Sequence, residues 1–82
     1  MKELKVFKAV WCGPCKVLAP TVEVLKEEGH NIIFVDVDEN QTEALEFNVK
    51  GVPTMIALED GKEYGRLVGN KSREEIIKLI GE

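Results

Sequence analysis

The chain reads as a single α/β domain with elements in the order β-α-β-α-β-β-α, its four strands forming one mixed sheet with helices on both faces. Three observations predict this. Residues 4–37 run apolar strand, amphipathic helix, apolar strand, a βαβ unit whose strands must be parallel with a right-handed crossover. Asp60-Gly61 separates two strand-like runs, which is a strong two-residue hairpin signal. Ser72-Arg73-Glu74-Glu75 is a capping box that opens a last helix. With 82 residues, one domain spanning 1–82 is the sensible count, and such a chain buries roughly 60–65% of its unfolded surface, enough for one modest core.

Leu4 to Val10 is expected as the first strand, with lysines at positions 5 and 8 among apolar residues. Cys15, Leu18, Val22 and Leu25 then recur at three- and four-residue spacing, which draws an apolar stripe down one helix face. Pro14 suits a first helical turn, where a missing N–H costs nothing, and Gly29 supplies a stop. Pro20 falls inside this helix and is expected to bend it. Asn31 to Val37 is a β-branched and aromatic run whose Ile-Ile-Phe-Val centre suggests a strand covered on both faces. Asn40 followed by Glu43 is an N-cap pattern for a short helix through Phe47. Thr54 to Leu58 and Lys62 to Val68 flank the hairpin turn, and the last helix turns Ile76, Ile77, Leu79 and Ile80 inward.

Composition excludes several classes of function. The net charge is −4, with 11 basic and 15 acidic residues intermixed, so no basic cluster can neutralise a row of phosphates and nucleic acid is not an expected partner. The longest apolar stretch is far short of a membrane span. Charges in Met1-Lys2-Glu3-Leu4-Lys5 occupy the place where an export signal needs apolar residues, so a cytoplasmic address is expected.

The two cysteines sit three residues apart. A secreted disulfide scaffold normally carries four or more, and in a reducing compartment a lone C-x-x-C points to redox chemistry or metal binding. Zinc needs about four ligands and only His30 adds to the pair, so no metal is expected. Trp11-Cys12-Gly13-Pro14-Cys15-Lys16 lies where the first strand ends and the first helix begins. Cys12 therefore faces the unsatisfied N–H groups and positive dipole end of a helix, which stabilise a thiolate. Cys15 lies one turn further in, on the buried stripe. That spacing brings the Cα atoms about 5–6 Å apart, within disulfide range. Cys12 is expected to be the exposed attacking thiol and Cys15 the resolving one. Gly13 lets backbone approach a partner, and Pro14 stiffens the turn.

These residues resemble the thioredoxin family. Trp-Cys-Gly-Pro-Cys-Lys matches its active-site motif, and the match continues in Ala19-Pro20, Val35-Asp36-Val37-Asp38-Glu39-Asn40, Val49-Lys50-Gly51-Val52-Pro53-Thr54, Asp60-Gly61-Lys62 and Gly69. The resemblance implies a thioredoxin fold and a protein-disulfide reductase with no bound cofactor beyond the Cys12–Cys15 disulfide/dithiol. It implies a cis peptide bond at Pro53. It also implies a shallow groove for an extended peptide, made by Trp11, Gly13, Pro14, Val52, Pro53 and Gly69, with strand-like pairing at Val52. The partners implied are thioredoxin reductase or a similar donor and disulfide-containing proteins, the chain itself acting as a monomer. The family usually begins with a further strand and helix, and this length is that of a glutaredoxin. The family also places a buried Asp six residues before the first cysteine and an aromatic residue two positions later; here those positions hold Val6 and Lys8.

Two other activities compete: a glutathione-dependent dithiol reductase of glutaredoxin type, and a redox-gated binding module. Val-Pro-Thr and Gly69-Asn70 fit thioredoxins better than the patterns with which glutaredoxins hold glutathione. Lys8 shares a side of its strand with Leu4 and Val6. It either lays its stem along the sheet as a surface lysine or lies beside the dithiol and favours its thiolate. Trp11 is read as packing or as a substrate contact, and His30 as a solvated surface residue.

Overall fold

The computed structural model describes residues 1–81; Glu82, the last residue of the expected 1–82 domain, lies outside them. The elements are β1 (Lys2–Lys8), α1 (Gly13–Glu27), β2 (Ile32–Asp36), α2 (Gln41–Glu46), β3 (Thr54–Glu59), β4 (Lys62–Val68) and α3 (Arg73–Ile80), in the expected order. They build a four-stranded sheet of order β2-β1-β3-β4. The pair β1–β2 is parallel, as a βαβ unit requires, and β1–β3 and β3–β4 are antiparallel. Asp60 and Gly61 both adopt positive φ (52° and 83°), the conformation a two-residue hairpin of the primed type demands.

Strand alternation divides the core into two layers. Leu4, Val6, Ile32, Met55 and Ala57 meet Leu18, Val22 and Leu25 of α1 and Ile76 and Ile80 of α3 on one face. Phe7, Val35, Ile56 and Leu58 meet Ala44 of α2 on the other. The stripe read from the α1 sequence is the buried one, while Ile77 and Leu79 of α3 pack against the core from a half-buried position. Pro20 lies on the exposed side of α1, where its missing donor leaves the Lys16 carbonyl to solvent.

Three expectations need correction. The first strand begins at Lys2 and ends at Lys8 rather than running Leu4 to Val10. Lys2 pairs with Glu59 across the β1–β3 ladder, whereas Ala9 and Val10 leave the sheet to turn towards the cysteines. β2 is an edge strand and not one covered on both faces: Ile33 stays 38% exposed because α2, on its side of the sheet, is too short to reach it. β3 is the strand buried on both faces. Asn40 occupies the N-cap position of α2, but its side chain does not cap; its amide donates back to the Asp36 carbonyl at 3.1 Å.

A six-residue helix is marginal by itself, and α2 is held by its neighbours. Lys5 of β1 pairs with Glu43, and its ammonium lies 5.1 Å from the centre of the Phe47 ring. Arg66 of β4 donates to the Phe47 carbonyl at 2.9 Å, a cation at the negative end of the helix. α3 instead carries its own fastening. The Ser72 hydroxyl accepts from the Glu75 N–H at 3.2 Å, and the Glu75 carboxylate accepts from the Ser72 N–H at 3.3 Å. That backbone donor first, and the Ser72 hydroxyl second, hold the Glu75 carboxyl below the usual range. A lowered carboxyl pKa stabilises the fold above the unfolded value, near pH 4.5, and its contribution is lost as the pH falls through the folded value. Ser72→Ala is expected to lower stability by about 1 kcal/mol at pH 7. The gap from the parent should narrow as urea unfolding is repeated below pH ~4.

Candidate active site

β1 delivers the chain to a tight turn at its end. The Cys12 N–H donates to the Ala9 carbonyl at 3.2 Å, and Cys12 then takes extended dihedrals as the N-cap of α1. Its Sγ accepts from the Cys15 N–H at 3.1 Å. The first turn of α1 contains no acidic side chain, so the positive end of the helix faces this sulfur unopposed. Cys15 follows one turn on, facing the sheet. The two are joined as a disulfide with their Cα atoms 5.3 Å apart, within the expected span.

The expected contrast in exposure is absent. Cys12 is 4% exposed and Cys15 7%. Cys12 is covered because its sulfur folds back onto its own helix cap and packs with Ala9 and Cys15 against Val37 and Val52. What distinguishes the pair is position: one sulfur sits on the cap N–H, the other on the buried stripe.

The loop before β3 closes the site. The Val52–Pro53 peptide is cis, as the resemblance implies. The Val52 carbonyl oxygen stands 3.6 Å from Cys12 Sγ, and Pro53 is buried beneath it. Two bonds hold this loop: Thr54 Oγ1 donates to the Gly51 carbonyl at 2.6 Å, and the Gly69 N–H donates to the Pro53 carbonyl at 2.8 Å. Gly69 has φ +94°, a conformation that favours glycine. Gly13 and Pro14 lie exposed in front of the sulfurs, with open space where a Gly13 side chain would stand.

The residues expected to form a groove are thus gathered around the dithiol, but not all in one depression. Trp11 and Val52 line a shallow hollow of about 180 Å³ together with Val37, Val49, Lys50 and Gly51. Gly13, Pro14, Pro53 and Gly69 do not line it; Gly69 joins the site through its hydrogen bond to Pro53. Trp11 is 66% exposed, so it is not core packing. Its indole N–H donates to Asp38 Oδ2 at 2.8 Å, which lays the ring over the hollow. Asp38 is in turn set by Asp36, whose Oδ1 accepts from the Asp38 and Glu39 N–H groups at 2.8 and 3.3 Å. Neither aspartate is among the site residues expected from sequence. The Asp-Val-Asp-Glu-Asn run after a strand is nevertheless an Asx-turn signature that points to both.

Lys8 extends along the sheet with its ammonium 5.8 Å from the Phe34 ring centre, and it also lines a small cavity that Cys15 shares. Among the described residues no group of three His, Cys, Asp or Glu side chains is placed to hold a metal ion. His30 is half-buried rather than freely solvated. The Gly29–His30 turn packs towards the end of α3, and the histidine lines a cavity with Leu4, Tyr64 and Ile80 at a distance from the cysteines. No helix among the described residues is long and apolar enough to cross a membrane.

Comparison with known proteins places this arrangement. The sequence model of the family described as Thioredoxin matches residues 3–82. The thioredoxin of Chlamydia trachomatis is 44% identical over 78 residues, covering 93% of this chain and 76% of that protein. The thioredoxin of Bacillus subtilis is 40% identical over 79 residues with the same coverage. Among solved structures, a single-site mutant of the thioredoxin from Halobacterium salinarum superposes with a TM-score of 0.90 at 40% identity, over 96% of this chain and 71% of that one. Fasciola hepatica thioredoxin gives 0.89 at 36% identity, over 96% and 77%. With its dithiol at the cap of α1, a cis-proline loop against it and these relatives over nearly its whole length, the chain belongs to the thioredoxin family of protein thiol–disulfide oxidoreductases.

Proposed function

We propose that this protein works as a cytoplasmic reductant of protein disulfides, drawing electrons from a thioredoxin reductase, with Cys12 as nucleophile and Cys15 as resolving thiol. The observation that carries the division of roles is the Cys12 sulfur accepting the Cys15 N–H at the mouth of α1. An anion gains most from that donor and from the helix dipole at this position, so the reduced protein presents its thiolate there. The Cys12 thiolate attacks a substrate disulfide. One sulfur bond forms, the substrate S–S bond breaks, and the departing thiolate takes a proton from water. The Cys15 thiolate then attacks Cys12 Sγ, forming the intramolecular disulfide and releasing the second substrate thiolate. Two electrons have passed to the substrate. The donor's dithiol restores the starting state by the same exchange in reverse.

Trp11, Gly13, Pro14, Val52, Pro53 and Gly69 serve as the docking rim. A peptide laid along Val52 would have its backbone opposite an unregistered stretch just ahead of β3 and its side chains over the Trp11 hollow. The exposed indole offers apolar area to such a peptide while Asp38 fixes its orientation.

Cys12→Ser is expected to abolish reduction of insulin disulfides. Cys15→Ser is expected to trap a mixed disulfide on Cys12, seen by mass spectrometry as a covalent adduct. A binding module would instead keep its partner and show no turnover in the parent protein. Coupling to NADPH is expected with a thioredoxin reductase and not with glutathione and its reductase; the reverse result would make the protein a glutaredoxin-type carrier. Asp38→Ala removes one hydrogen bond, which contributes about 1 kcal/mol. It is expected to raise KM for a protein disulfide about fivefold, with kcat little changed, while a small-molecule disulfide is reduced as before.

A further inference from the structure

Resolution of the mixed disulfide sets a chemical problem that the cap of α1 does not solve. Cys15 must lose its proton to attack Cys12, yet it sits on the stripe of α1 that faces the sheet. The cavity it shares is walled by Val6, Leu18, Phe34 and Pro53. Apolar surroundings push a thiol pKa up, because they solvate the anion poorly. The helix N–H that reaches a sulfur at this end is given to Cys12. β1 offers no carboxylate in the cavity wall, where Val6 stands. Apart from Cys15 itself, one ionisable side chain among the described residues lines the cavity, and it is Lys8.

Lys8 is suited to act here by its placement. As the last residue of β1 it projects to the same face as Leu4 and Val6, the face α1 covers. Its stem is half-buried and its ammonium rests against the Phe34 ring, 5.8 Å from the centroid, which keeps the head close to the cavity instead of extended into solvent. The other charged groups around it are accounted for. Lys26 of α1 lies 5.8 Å from the same ring centre. Asp36 of β2 is the register partner of Lys8 and brings a carboxylate beside it, its Oδ1 accepting the Asp38 N–H of the following turn. Lys16, next to Cys15 in sequence, is on the exposed side of α1. From the loop entering β3 the wall is Pro53, which carries no charge.

We infer that Lys8 is the electrostatic partner of Cys15, holding the resolving sulfur as a thiolate so that it can attack the Cys12 mixed disulfide. The inference rests on Cys15 being the resolving thiol, as proposed above. Lys8 acts by charge and takes no part in the proton transfer. The Cys15 proton passes to water, the Cys15–Cys12 bond forms as the Cys12–substrate bond breaks, and the substrate thiolate leaves with the electron pair and is protonated by water. Facing an apolar wall, the cation is screened less than at an open surface.

The test reads Cys15 directly. In a Cys12→Ser background Cys15 is the only thiol, and its thiolate ultraviolet absorbance is followed against pH. Adding Lys8→Met is expected to raise the Cys15 midpoint by roughly one pH unit. Lys8→Arg should restore it, since the charge is retained, and Lys26→Gln should move it by less than half as much. With both cysteines present, Lys8→Met is expected to slow resolution of a preformed mixed disulfide about threefold at neutral pH, because the smaller thiolate fraction is partly offset by a more nucleophilic thiolate, with the rate recovering as the pH is raised. Lys8→Arg provides the control for folding, together with unchanged thermal melting of Lys8→Met. A Cys15 midpoint that is the same in Lys8→Met as in its parent overturns the inference. The titration needs neither substrate nor donor, so that result is distinct from failure of the parent protein to reduce disulfides, which would overturn the proposed function instead.

Discussion

The antiparallel register of β1 against β3 is the constraint on which the site depends. The ladder ends with Phe7 opposite Thr54, which leaves Pro53 beside the last residue of β1 and puts the Val52 carbonyl against Cys12. A slip of two residues would keep every side chain on its own face, yet it would move the loop by about 7 Å and part it from the cysteines. A slip of one would turn Met55 and Ala57 out of the α1 layer and Ile56 and Leu58 out of the α2 layer. Both layers therefore guard against the one-residue error. The two-residue error is opposed at the far end, where the Asp60 N–H donates to the Met1 carbonyl at 3.0 Å and the Met1 amino group meets the Asp60 carboxylate.

From that register the rest of the site is assembled out of chain ends. The C-terminal end of β1, the N-terminal end of α1, the turn after β2 and the loop entering β3 all stop within the same small region. Ends are where backbone groups lack regular partners, so a site built there has donors and acceptors to spare for chemistry. The Cys15 N–H goes to a sulfur, the Val52 carbonyl faces that sulfur, and the Asp36 carboxylate takes up the N–H groups of the turn that carries Asp38. The regular elements supply stiffness, and their termini supply function.

Much of this arrangement could be read from sequence because it is encoded locally. The capping box at Ser72, the Asp60-Gly61 turn, the α1 stripe and the cysteine spacing each depend on residues within a few positions of one another. What could not be read is non-local. β2 and β3 are similar apolar runs, and only the pairing order makes one an edge and the other the strand buried on both faces. The β1 boundary moved because Lys2 finds a partner in Glu59, far along the chain. Cys12 proved as covered as Cys15 because Val37 and Val52 come over it from two different loops. The hydrogen bond from Trp11 to Asp38 joins residues from different loops for the same reason. For Lys8 the structure shows a side chain that lies against the Phe34 ring and lines the cavity shared with Cys15, a placement no local pattern could give.

A protein that makes and breaks its disulfide in every cycle must not depend on that bond for its fold. Stabilisation by a cross-link grows with the length of loop it closes, and the Cys12–Cys15 link closes one of the shortest possible, with a sequence separation of 3. The α1 layer is independent of it: Leu18, Val22 and Leu25 are fully buried against the sheet and hold the helix in place whichever redox state the sulfurs adopt. The cysteines form their own small cluster with Ala9, joined to the second core layer through Val37 and Val52. Reduction therefore alters the charge and bonding of two sulfurs on a scaffold already fixed by other contacts. The energy of the disulfide is left to depend on local terms, namely the cap of α1 for Cys12 and the environment of the cavity for Cys15.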